Sequence, residues 1–154
     1  MSTSEPTSLV DSFRLVALLA GVDLGPSDLT VEHLTAPHVS PSKLPTGKSA
    51  VYVFIFDGQA LKVGKAGPNS NARYTSQHYN AGSAQSTLAA SLLKNGNLIG
   101  VTLRKETASI WIKTNTDRIN FLLDAKHGKF VLSLLESYLQ CKLRPLFEGF
   151  ESQT

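Results

Sequence analysis

One cysteine, Cys141, stands among the 154 residues. No intramolecular disulfide can form, and a zinc site built from several thiolates is excluded. Cys141 lies four residues before Pro145 in an apolar segment, where a buried structural thiol is expected. Long apolar runs are missing too. Nothing approaches the roughly 20 consecutive apolar residues that a membrane-spanning helix needs, so no membrane partner is expected. The most apolar stretch near the start, residues 13 to 21, follows Glu5 and Asp11 rather than basic residues. That pattern argues against a secretory signal and for the cytoplasm. There is no internal repeat and no low-complexity tract. His33, His38 and His127 show no metal-type spacing with one another and read as ordinary surface or loop histidines.

What is present suits one globular domain with a single core. Hydrophobic residues make up 42% and charged residues 18%, both ordinary values. Charge, however, is unevenly distributed. From residue 47 onward there are 13 Lys/Arg against 7 Asp/Glu, whereas residues 1 to 46 carry 2 against 5. The basic part suits a polyanionic partner, and the acidic part could dock on it or on another protein. The sequence therefore divides into an N-terminal helical extension with a Pro-rich connector, residues 1 to 46, and a main domain, residues 47 to 154.

Valine, tyrosine, phenylalanine and isoleucine crowd residues 50 to 56, Asp57-Gly58 interrupts them, and a second β-type run occupies residues 60 to 66. This is a hairpin pattern. It brings Tyr52 and Lys62 within one or two pairings of each other, with Gly64 following as a close-approach position. Periodicity predicts helices over 8 to 20, 72 to 79, 85 to 94 and 129 to 143, and a short one over 27 to 34 capped by Ser27 or Asp28. Residues 109 to 113 alternate like a strand, and 118 to 123 read as either a strand extension or an ordered loop. Residues 1 to 7 are small, polar and disorder-prone. The order of elements argues for an α+β domain with a small, mainly antiparallel, three-stranded sheet flanked by helices.

Ala50-Val51-Tyr52 and Lys62-Val63-Gly64 resemble the paired GIY and YIG motifs of the GIY-YIG nuclease superfamily. Arg73 on the next helix and Glu136 on a later one take the places of that family's arginine and glutamate. The stretch from Glu136 through Pro145 and Phe147 to Glu148 resembles its ending. The resemblance covers about residues 49 to 150. The departures are Ala50 for the first glycine, Lys62 for the second tyrosine, Gln77-His78 near a common histidine, and Glu148 for the final asparagine.

The resemblance implies a metal-dependent endonuclease that hydrolyses phosphodiester bonds, with DNA as the expected nucleic acid. Tyr52 would activate water, which its ordinary pKa of about 10 permits only beside a cation such as Lys62. Glu136 would hold one Mg²⁺ or Mn²⁺. It has no ion-pair partner four residues away on its own helix, so a metal or another cation is expected there. Arg73 would grip the scissile phosphate. Gly64, Lys65 and His78 would contact substrate. Trp111, Lys113 and Arg104-Lys105 could hold a strand of nucleic acid, although Trp111 reads first as a residue packed in the core or on the outer sheet face. Without the family pattern, Tyr52 reads as a core aromatic, Glu136 as a surface glutamate and Arg73 as a solvated or acid-paired side chain. Lys62 and Glu148 also motivate an alternative: a catalytically inactive module that binds nucleic acid or protein.

Overall fold

The computed structural model describes residues 5 to 83 and 87 to 148. Strands β1 (Leu29–Leu34), β2 (Lys48–Phe56), β3 (Gln59–Ala66) and β4 (Asp117–Asp124) form one antiparallel sheet in the order β1-β4-β2-β3. The fold is α+β with four strands where three were expected. Helices α1 (Glu5–Leu19) and α5 (Gly128–Leu143) pack on one face, around Val51, Val53, Ile119 and Phe121. On the other face lie the shorter α2 (Asn71–Thr75), α3 (Leu88–Asn95) and α4 (Ala108–Asn115), around Ala50, Tyr52 and Phe54. Strand β2 is buried on both sides, which explains its unbroken apolar run.

The hairpin turns at Asp57 (φ 51) and Gly58 (φ 77), both left-handed, as an Asp-Gly two-residue turn requires. Helix α1 buries Leu9, Phe13 and Ala17 at a spacing of four and ends in a Schellman motif at Gly21. There Val22 N–H donates to the Ala17 carbonyl and Gly21 N–H to that of Leu18. The expected disorder over residues 1 to 7 does not extend to residues 5 to 7, which begin this helix; residues 1 to 4 lie outside the described residues.

Two elements differ from the sequence pattern, and a third settles one left open. Residues 29 to 34 form a strand rather than a helix, paired along their whole length with β4 from Leu29↔Leu123 to Leu34↔Arg118. Asp28 caps no helix; it accepts from Gly25 N–H at 2.8 Å. Residues 109 to 113 lie in a helix, because the positions that meet the core are Ala108 and Ile112, four apart, while Ile110 is 66% exposed. Residues 118 to 123 resolve to the strand β4, whose pattern was obscured by Arg118 and Asn120, polar yet fully buried. The first 46 residues supply α1 and β1, and so share the core and the sheet of the rest. Cys141 is exposed, not buried, since the buried stripe of α5 runs through Val131, Leu135 and Leu139.

Candidate functional site

Strand β3 is a sheet edge, and three elements gather along it. In register, Tyr52 faces Gly64 and Phe54 faces Lys62, so Tyr52 and Lys62 are diagonal neighbours on one face. Val51 faces Lys65, which puts Lys65 on the opposite face, toward α5. Lys65 Nζ lies 3.2 Å from Glu136 Oε1 and 3.2 Å from the Ser133 hydroxyl. This is the cation that the isolated Glu136 called for. It comes from the sheet, not from the helix.

Arg73, on α2, donates from Nε to the Lys65 carbonyl at 3.0 Å, which ties the helix to the end of β3. Tyr52, 0% exposed, donates its hydroxyl to the Arg73 carbonyl at 3.1 Å. Between these groups opens a cleft of about 590 Å³, whose charged lining residues are Lys65, Arg73, Lys129 and Glu136. Lys129 and Ser133 were not anticipated. They stand seven and three residues before Glu136 on α5, so a reading of its helical face could have found them. Among the described lining residues three cations face one carboxylate, an arrangement whose charge suits an anionic ligand.

Of the other anticipated residues, Lys62 points elsewhere. Its ammonium donates to the Phe147 carbonyl at 3.2 Å and lies 3.7 Å from Glu148, whose other oxygen accepts from Val63 N–H at 3.2 Å. Burial pushes the Lys62 ammonium down and the Glu148 carboxyl up, each opposed by the other's charge. Gly64 is demanded by packing, because a Cβ there would sit 2.7 Å from the Tyr52 ring and 2.8 Å from His78 Nε2. His78 is 1% exposed and is not among the residues lining the cleft.

The cations acting on Tyr52 are Arg73 and Arg118, yet desolvation outweighs them and pushes the phenol up to about 12. At neutral pH only about one molecule in 10⁵ would carry the phenolate. Tyr52 is thus a hydrogen-bond donor that fixes Arg73. Beneath its ring sits Arg118, 0% exposed, with its guanidinium carbon 4.5 Å from the Tyr52 centroid and 4.8 Å from that of Tyr74. Arg118 donates to Asn120 Oδ1 and the Tyr74 carbonyl, both at 2.7 Å, and to the Tyr79 hydroxyl at 3.3 Å. His38, read as a surface or loop histidine, lies in a loop but is buried, and it bonds the same Tyr79 hydroxyl at 2.7 Å.

His78 accepts at Nδ1 from Leu88 N–H at 3.1 Å, so its proton sits on Nε2, which has no partner among the described residues. Burial first, then the nearby Arg73, Lys62 and Arg118 charges, push its pKa down to about 3. An unfolded histidine titrates near 6.5. Between these values the unfolded chain binds a proton that the native state refuses, so stability falls as pH drops from 6.5 toward 3. We expect this group to contribute a slope of about 1.4 kcal/mol per pH unit below about pH 6. Urea unfolding of wild type and His78→Gln between about pH 7 and pH 5 checks it. Equal pH slopes in the two proteins would contradict the assignment.

Compared with protein-family models, curated proteins and solved structures, the chain matches none of them. The cleft must therefore be read from its own chemistry. As a test for Mg²⁺, that cation prefers oxygen donors and commonly keeps several waters while using one or two carboxylates plus substrate phosphates. Glu136 offers one carboxylate on an open cleft, its Oε2 unpaired among the described residues and the Ser133 hydroxyl beside it. No group of three or more His, Cys, Asp or Glu suited to a metal occurs among the described residues. The donor set fits a hydrated Mg²⁺ or Mn²⁺ shared with a phosphate better than a protein-caged ion.

Proposed function

We propose that this chain is a GIY-YIG-like phosphodiesterase, a metal-dependent endonuclease that cuts nucleic acid, DNA foremost, at the cleft between β3, α2 and α5. One observation carries the reading: Lys65, Arg73, Lys129 and Glu136 converge on one open cleft although they come from three separate elements. The GIY-like strand at the sheet centre, paired with the YIG-like strand at its edge, adds support from topology. The cytoplasm suits an exposed lone thiol, which stays reduced there, and no helix among the described residues is long and apolar enough to cross a membrane.

In this reading Arg73 binds the scissile phosphate and offsets the charge that grows on its oxygens, with Lys65 and Lys129 flanking it. Tyr52 holds the Arg73 backbone, and Arg118 holds Tyr52. Glu136 and Ser133 would hold the metal, and Lys65 would release Glu136 and turn to the incoming phosphate. When bound, the metal supplies Lewis-acid polarisation of the phosphoryl oxygen and a more acidic water.

Incubation with supercoiled plasmid and with single-stranded DNA and RNA, in Mg²⁺, Mn²⁺ or a chelator, tests the reading. Metal-dependent nicking is expected, and Arg73→Ala should lower its rate about 10²-fold. No cleavage of any substrate under any of these conditions would refute it.

A second reading has its own observations: Lys65 already neutralises Glu136, and the Tyr52 phenol is raised to about 12. A module built this way binds nucleic acid without cutting it. Salt-dependent binding with no cleavage would select that reading.

A further inference from the structure

A second groove, about 330 Å³ in volume, is lined by the end of α2, by α4 and by the segments around Ser40, Tyr79 and Lys105. Its lining includes Lys105, Lys113, Ser40, Ser109, Thr75 and Ser76, and no carboxylate among the described residues. The helical form of residues 108 to 115 creates it: Ser109 and Lys113, four apart, share one side of α4, while Trp111 turns away to meet Phe56 with ring centroids 5.0 Å apart. Among the described residues neither Lys105 nor Lys113 has an ion-pair partner within 4.0 Å. The hydroxyls of Thr75 and Ser76 donate to the Asn71 and Ala72 carbonyls. Those of Ser40 and Ser109 bond no described residue and remain available as donors. Two ammonium groups without an ion-pair partner, that of Lys113 lying 5.6 Å from the Tyr79 ring centroid, and two uncommitted hydroxyls in a concave surface suit phosphate oxygens.

The groove adjoins the first cleft. Ser70 lines the cleft and Ser76 the groove, and α2 runs between them. At 1.5 Å per residue those six positions span about 9 Å. In a B-form duplex, where one strand advances about 3.4 Å along the axis per nucleotide, that length corresponds to about three nucleotides. We propose that Lys105 and Lys113 bind the phosphodiester backbone of a nucleic-acid strand a few nucleotides away from the phosphate held by Arg73, so that the strand passes over α2. This inference rests on the nucleic-acid reading of the first cleft but not on cleavage.

Binding of fluorescent DNA and RNA oligonucleotides, measured by anisotropy over a range of salt, tests it for the full chain and for Lys105→Ala/Lys113→Ala. Lys43→Ala/Lys142→Ala removes the same charge elsewhere and serves as control. We expect the first variant to bind about tenfold more weakly at low salt, with the slope of log affinity against log salt reduced by about 2, and the control to change far less. Far-UV circular dichroism confirms folding of both. Equal losses in both variants would overturn the proposal, and so would preferential binding of a phosphoserine peptide. If cleavage requires Arg73 and Glu136 while binding ignores Lys105 and Lys113, the proposal fails and the nuclease reading stands. If binding requires the two lysines and nothing is cleaved, the proposal stands and the nuclease reading fails.

Discussion

Glu136→Ala is expected to abolish Mg²⁺-dependent cleavage, a loss of about 10³-fold or more, while the protein stays folded. The carboxylate is the cleft's only acidic group among the described residues, so its removal takes away the residue that would bind the metal. Stability should change little. The Lys65–Glu136 pair is partly exposed on both sides, and such pairs contribute about 0 to 1 kcal/mol. A further readout separates loss of chemistry from loss of binding. With the one negative charge gone, Lys65, Arg73 and Lys129 present an uninterrupted positive surface, and affinity for nucleic acid should hold or rise. Cleavage that persists unchanged would sink the metal assignment. Weaker binding by the variant would instead mean that Glu136 organises Lys65, with the ion pair serving as a positioning device.

Arg118→Leu should cost about 3–5 kcal/mol of stability, read as a lower urea midpoint at constant m-value. The guanidinium makes three hydrogen bonds and lies against four aromatic rings with no exposure to solvent. Leucine fills part of the volume but leaves Asn120 Oδ1 and the Tyr74 carbonyl without their donor, and each abandoned buried acceptor costs about 1–3 kcal/mol. The nearest acid in the network is Glu32, which Asn120 Nδ2 reaches at 2.9 Å, so the charge is compensated at one remove. An apolar replacement of a buried ion can also be neutral or stabilising. A loss below about 1 kcal/mol would therefore show that the aromatic cage packs equally well without its cation.

The hairpin, α1 and α5 were legible in the sequence because their periodicities are long and the turn at Asp57-Gly58 carries its own chemistry. Three shorter elements were not. Residues 27 to 34 carry a plausible helix cap, but six pairings with β4 outweigh it. Residues 109 to 113 alternate in apolarity, but the surface they meet selects positions four apart. In β4 the buried residues of one face are Arg118 and Asn120, and no hydropathy pattern marks a charged residue as core. The site divides in the same way. Lys65, Arg73 and Glu136 were each candidates in the sequence, whereas the pairing of Lys65 with Glu136 joins residues far apart in the chain and depends on which face of β3 each side chain takes. For Lys62, the register shift between Phe54 and Ile55 and the returning tail set its surroundings, and neither has a local signature.

That tail has a kinetic meaning. Leu146 and Phe147 N–H donate to the Ala60 and Leu61 carbonyls, and Glu148 takes Val63 N–H, so the start of β3 is closed by a segment some 85 residues later in sequence. Contacts of such separation form late, because loop-closure entropy must be overcome first. Until they do, β3 presents an open strand edge, the template on which chains pair with one another. The arrangement that finally buries Lys62 is thus also the one that covers the start of the β3 edge.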